Sequence, residues 1–176
     1  MRKLLLLALA GLLWAPALML WGQYTAKEEK LPGDPIEQPL PYSHKMHVGA
    51  LGLKCLDCHK IEDPGYAAGY PQEATCMACH AAIKADSLHI QKLAEFEKSK
   101  TRVPWNKIYT VPNYVYFSHD AHHKIAEIEC TECHGNVAER EVLFKEKSIA
   151  MTTCMDCHAQ RQVSNDCGFC HDPHPE

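Results

Sequence analysis

The sequence is poor in aromatic residues, which make up 8% of its 176 positions. It has no basic excess either: 18 Lys and Arg stand against 22 Asp and Glu, for a formal net charge of −4. The second shortage argues against a nucleic-acid partner, which needs a cationic footprint. The first, in a chain this short, leaves little from which to build an ordinary apolar core. No cysteine lies near residue 26, so a lipid-modified N-terminus is excluded. Charge is missing altogether from Leu4 to Trp21. A run of that length is either the apolar region of a secretory signal or a short membrane span.

What the chain does have is 10 Cys and 12 His in a strict arrangement. Five C-x-x-C-H clusters consume every cysteine: Cys55-Cys58-His59, Cys76-Cys79-His80, Cys130-Cys133-His134, Cys154-Cys157-His158 and Cys167-Cys170-His171. Two thiols at this spacing form thioethers to the two vinyl groups of one haem, and the adjacent His then lies under the iron as proximal ligand. Five such sites predict five covalently attached haems c. Zinc knuckles would be used in pairs, and five leave one over. A thioredoxin-like redox pair repeated five times, or a disulfide scaffold, leaves the invariable histidine without a role.

The histidines repeat as well. In the stretch from Tyr42 to His59, His44 and His47 lie eleven and eight residues before Cys55; from Phe117 to His134, His119 and His122 lie eleven and eight before Cys130. The chain therefore reads as two copies of one haem-binding module, with His44, His47, His119 and His122 as distal ligands. Three residues apart, each pair shares one helical turn and can point at two neighbouring irons. His123 aligns with Val48 and reads as a surface residue, as does His174. The fifth iron has His89 or Met151 as its alternatives, or an open position.

Met1-Arg2-Lys3 is a short positive start, and Tyr24-Thr25-Ala26 is a poor cleavage signature. Residues 1–26 accordingly read as an uncleaved anchor ahead of a cleaved signal peptide, with Trp14 and Trp21 at the interface. The anchor, residues 4–21, would hold the chain on the periplasmic, outer face of a bacterial inner membrane. Residues 27–41 carry four prolines and read as a stiff extended spacer. Residues 42–115 form the first module with two motifs, and 116–176 the second with three. About 150 residues beyond the anchor leave about 30 per motif, so haem faces are expected to supply much of the interior. One amphipathic helix is expected over 81–100, with Ile83, Ile90, Leu93 and Phe96 inward. A loop over 101–115 is expected to pack Trp105, Tyr109 and Tyr114 on haem edges.

The aromatic-Ser-His-x-x-His pattern followed by C-x-x-C-H resembles the class III low-potential multihaem cytochromes c, and the likeness covers about residues 40 to 172. Five sites behind an N-terminal membrane segment, together with VPNYVYFSHDAHHKIAEIECTECHG, are similar to the pentahaem cytochrome subunit of alternative complex III and related quinol-linked complexes. The resemblance implies paired distal histidines serving different haems. It also implies a fold of short α-helices, with little other regular structure, wrapped around clustered haems. The expected function is electron transfer between quinol-oxidising or other oxidoreductase membrane subunits and a periplasmic redox partner, by a subunit that is not itself an enzyme. A soluble periplasmic shuttle and a multihaem reductase of a small oxyanion are the competing readings. The reductase needs an exchangeable iron position and a basic pocket, and no cationic cluster stands out in the sequence.

Overall fold

The computed structural model describes residues 29–171. The expected anchor and His174 lie outside the described residues, and among those described no helix is long and apolar enough to cross a membrane. The described residues from Leu31 onward form one compact unit.

Regular structure is short and helical. Each cysteine motif lies on a helix: α1 (Cys55–Cys58), α2 (Glu73–His80), α4 (Cys130–His134), α5 (Met151–Gln160) and α6 (Cys167–Cys170). A helical turn suits the motif because it turns both thiols and the following imidazole toward one site. The longest helix among the described residues, α3, spans Leu88–Ser99, not the whole of 81–100. Lys84 takes a left-handed φ of 55° and interrupts the path between α2 and α3. Ile83 is consequently 57% exposed, while Ile90, Leu93 and Phe96 turn inward at helical spacing. Lys100, at φ 56°, ends α3 in a left-handed cap. Two isolated bridges, Ile61 with Ala68 and Val115 with His171, are the β-type pairing among the described residues.

Two π-helical turns, Lys45–Ala50 and Asp120–Ile125, carry the second histidine of each pair and follow directly on the first. Their wide bonds run from Leu51 N to Met46 O and from Ala126 N to Ala121 O, both 3.0 Å. Such turns are rare and concentrate at functional sites.

The protein's own core is very small. Leu40, Leu93 and Val103 are the buried apolar residues among those described, joined by the half-buried Cys76, Met77, Ile90, Phe96 and Trp105. Many other large apolar side chains stay open, among them Leu51, Leu53, Leu56, Ile125 and Phe169. A core of this size does not organise a compact unit unaided; apolar cofactor faces would supply the remainder.

Polar ties hold the loops. Residues 31–41 form no regular helix or strand and, unlike a free spacer, they are pinned to the rest: Gly33 N donates to Lys145 O at 2.7 Å, Ile36 N to Leu143 O at 2.9 Å, and Leu40 is buried. Gln38 and Asn106 exchange bonds of 3.0 and 2.8 Å. The buried Glu73 accepts from Val103 N at 2.8 Å and from the Arg102 guanidinium at 3.1 Å. The same guanidinium donates to Tyr70 O, Pro71 O and Gln72 Oε1. Arg102 thus closes the turn that leads into α2 and neutralises the buried carboxylate. An uncompensated buried carboxylate is costly, although the partly exposed guanidinium moderates the loss. Arg102→Ala is expected to lower the unfolding free energy by about 2 kcal/mol. Arg102→Lys should recover only part of that, because an ammonium lacks the planar fork. Guanidinium titrations of the three proteins check both values.

Candidate metal centres

The aromatic-Ser-His-x-x-His segment is a small machine for aiming two imidazoles. In the first copy Ser43 Oγ accepts from Met46 N at 3.0 Å and opens the turn, and in the second Ser118 Oγ accepts from Ala121 N at 3.1 Å. The same serine's backbone carbonyl accepts Nδ1–H of the second histidine: His47 to Ser43 O at 2.8 Å, and His122 to Ser118 O at 2.7 Å. The aromatic residue then packs on both rings. Tyr42 meets His44 edge-on at 4.8 Å and stacks on His47 at 4.4 Å; Phe117 does the same with His119 at 4.8 Å and His122 at 4.7 Å. One short-range device therefore opens the turn, a second holds the second ring and a third packs both rings, and all three recur across seventy-five positions of sequence.

Each of these four imidazoles faces a histidine of a cysteine motif. His44 faces His59 at 6.3 Å between ring centroids, His47 faces His80 at 6.1 Å, His119 faces His134 at 6.4 Å and His122 faces His158 at 6.2 Å. With a metal–imidazole bond of about 2.0 Å and a nitrogen about 1.1 Å from its ring centroid, two imidazoles on one metal stand about 6.2 Å apart. The observed spacing fits one iron between each pair. The ring planes repeat too: the first-position pairs are nearly parallel, at 5° and 7°, whereas the second-position pairs are tilted at 59° and 35°.

Backbone carbonyls set the tautomers. Nδ1 of His59 donates to Gly69 O at 2.8 Å, His80 to Ile83 O at 3.0 Å, His119 to Tyr66 O at 2.9 Å and His158 to Ser164 O at 3.0 Å. His171 donates to Tyr114 O at 3.2 Å. A proton held on Nδ1 leaves Nε2 bare for a metal, the usual outer arrangement around a ligating histidine. Burial favours the neutral ring as well. It pushes His44 down to about 4, with His59 and His47 acting the same way, and it lowers His134 with help from His119 and His59. His44 Nδ1 is buried without a partner.

The ten cysteines form no disulfide, and burial raises the thiols of Cys58, Cys76, Cys130, Cys133 and Cys154. Among the described residues no three His, Cys, Asp or Glu side chains gather as a zinc site requires. The donor set instead suits c-type haem: thiols for the vinyl groups, paired bare imidazoles for the iron, and open apolar side chains for the ring faces.

The three aromatic residues of the 101–115 loop pack against other rings of the protein, and Trp105 also joins the small apolar core. Trp105 packs edge-on to Tyr42 at 6.5 Å, Tyr109 edge-on to His134 at 4.8 Å and Tyr114 beside His171 at 6.0 Å. His89 is exposed on α3, and Met151 is 62% exposed at the start of α5; neither joins the four imidazole pairs. His123 is half-buried, unlike a surface residue, with Nδ1 held by Ile128 O at 3.0 Å. It lines a cavity of about 320 Å³ together with Leu53, Leu56, Cys55 and Cys130. The groups that sequence reasoning missed are backbone carbonyl acceptors rather than side chains, above all those of Tyr66 and Gly69. The glycines at 65 and 69 were the available signal.

Residues 115–173 match the family described as cytochrome c7 and related cytochrome c. Over 161 residues the chain is 32% identical to the multihaem cytochrome c subunit of menaquinone reductase from Nitratidesulfovibrio vulgaris (strain Hildenborough), covering 77% of each protein. Similarity of that extent, resting on a fold whose repeated turns aim imidazoles at the histidines of cysteine motifs, means that the chain belongs to the multihaem cytochromes c.

Proposed function

We propose that this chain is an electron-transfer subunit binding five haems c, serving a quinol-linked oxidoreductase of the membrane and exchanging electrons with a redox partner on the periplasmic side. The observation that carries it is the set of four imidazole pairs spaced for one iron each. The relative in Nitratidesulfovibrio vulgaris, named as a subunit of a menaquinone reductase, supports the quinol-linked setting. Haem supplies the one-electron iron couple when bound. The chain supplies the rest: cysteines 55, 58, 76, 79, 130, 133, 154, 157, 167 and 170 for attachment, and the motif histidines as proximal ligands.

His44, His47, His119 and His122 serve as distal ligands in this reading. Two strong-field imidazoles keep an iron six-coordinate in both redox states, so little rearrangement accompanies electron exchange. They also leave no coordination position for a substrate at those four sites. That favours a carrier over a reductase of small oxyanions.

Pyridine haemochrome absorbance and the mass of the native protein are expected to give five haems per chain; a lower number contradicts the reading. Cys154→Ala with Cys157→Ala should reduce the count by one. His119→Ala should keep all the haems attached yet add one high-spin ferric signal in electron paramagnetic resonance, because only the distal bond is lost. An unchanged spectrum would remove His119 from the ligand set.

A further inference from the structure

Sequence order runs from the first motif to the fifth, but the contacts between sites do not. Four local bridges tie the sites to one another, each visible in the placement of named groups.

The first and second sites share Tyr42, whose ring packs on both His44 and His47, and those imidazoles face His59 and His80 respectively. The third and fourth sites share Phe117 in the same way, through His119 and His122 to His134 and His158. The fourth site meets the fifth through Phe169, which lies inside the last motif and stands edge-on to His158 at 5.9 Å. Ser164, whose carbonyl orients His158, leads into α6 within three residues.

The remaining bridge joins the first site to the third, passing over the second. The loop after the first motif carries the Nδ1 acceptors of two different sites: Gly69 O for His59 and Tyr66 O for His119. Gly65 O in that loop accepts from Asp120 N at 3.0 Å, and a side chain at Gly65 would collide with Asp120. Cys55 of the first motif and Cys130 of the third line one cavity. The exchange is reciprocal. Lys45 N, in the first distal turn, donates to Arg140 O in the segment after the third motif at 3.0 Å, and a Cβ at Gly49 would sit 2.6 Å from Ala138 O. Each module's distal turn is thus braced by the other module's post-motif segment.

We propose that the five sites form one unbranched line in the order second, first, third, fourth, fifth. This inference rests on the five-haem reading above. The ends of the line are then the site of His80 and the site of His171, where electrons enter and leave. The second motif, internal in the sequence, is terminal in space because its module's first site turns toward the neighbouring module.

Iron anomalous scattering from crystals of the native full-length holoprotein tests the order directly. Five peaks are expected, with the second iron nearest the first, the third nearest the first and fourth, and the fifth nearest the fourth. Five peaks with the second iron closer to the third than the first is would overturn the line while leaving the haem count intact. Fewer than five peaks would overturn the haem reading and the line with it. In solution, His47→Met should shift the midpoint of the second site and, by electrostatic interaction, that of the first. The haem-methyl resonances of the third, fourth and fifth sites should titrate unmoved. A third-site shift as large as that of the first would also overturn the order.

Discussion

Two imidazoles held opposite each other at the span of one metal are the constraint on which this fold turns. Rings at the end of flexible side chains do not stay opposed unless something holds each of them. Here an aromatic ring packed alongside does so for all four distal-turn imidazoles, and an Nδ1–H bond to a backbone carbonyl adds to it at His47, His119 and His122. The carbonyl also selects the tautomer, so orientation and electronic state are set by one bond. The four spacings fall within a narrow range, 6.1 to 6.4 Å, although the residues concerned come from two turns and four separate motifs.

That constraint explains the poverty of the rest. With three buried apolar residues among those described, the chain has little interior of its own. Its loops are instead tied by polar contacts such as the Glu73–Arg102 cluster and by the Arg140–Glu146 pair at 2.7 Å, with Tyr109 Oη accepting from Glu146 N. In a multihaem cytochrome the apolar payload belongs to the macrocycles, and the polypeptide is reduced to attachment points, ligands and braces. The many open leucines and aromatics beside the motifs are consistent with that division.

The repeat within the chain is structural as well as sequential, but the copies do not stand side by side as separate units. Each distal turn leans on the segment following the other copy's motif, through Gly65 with Asp120 and Gly49 with Ala138. Glycine is needed at both points because backbone must approach closely, and Gly65 also has a left-handed φ of 82°. Such mutual bracing ties the two copies into one unit.

Much of the site was legible in the residues alone. The C-x-x-C-H spacing names its own chemistry, and the alignment of His44 with His119 and His47 with His122 picked out four imidazoles that the fold does set opposite four motif histidines. The helix of 88–99 was legible from Ile90, Leu93 and Phe96, but not its start, because the left-handed turn at Lys84 carries no strong sequence signal. His123 was misread as exposed, since alignment with Val48 says nothing of the Ile128 carbonyl that holds it. Attachment chemistry, the duplication and the ligand candidates were written in the sequence because they depend on side-chain type at fixed local spacing. Which imidazole faces which, which carbonyl orients it, and which site neighbours which were decided only by the tertiary structure, because they depend on backbone atoms and on contacts between segments distant along the chain.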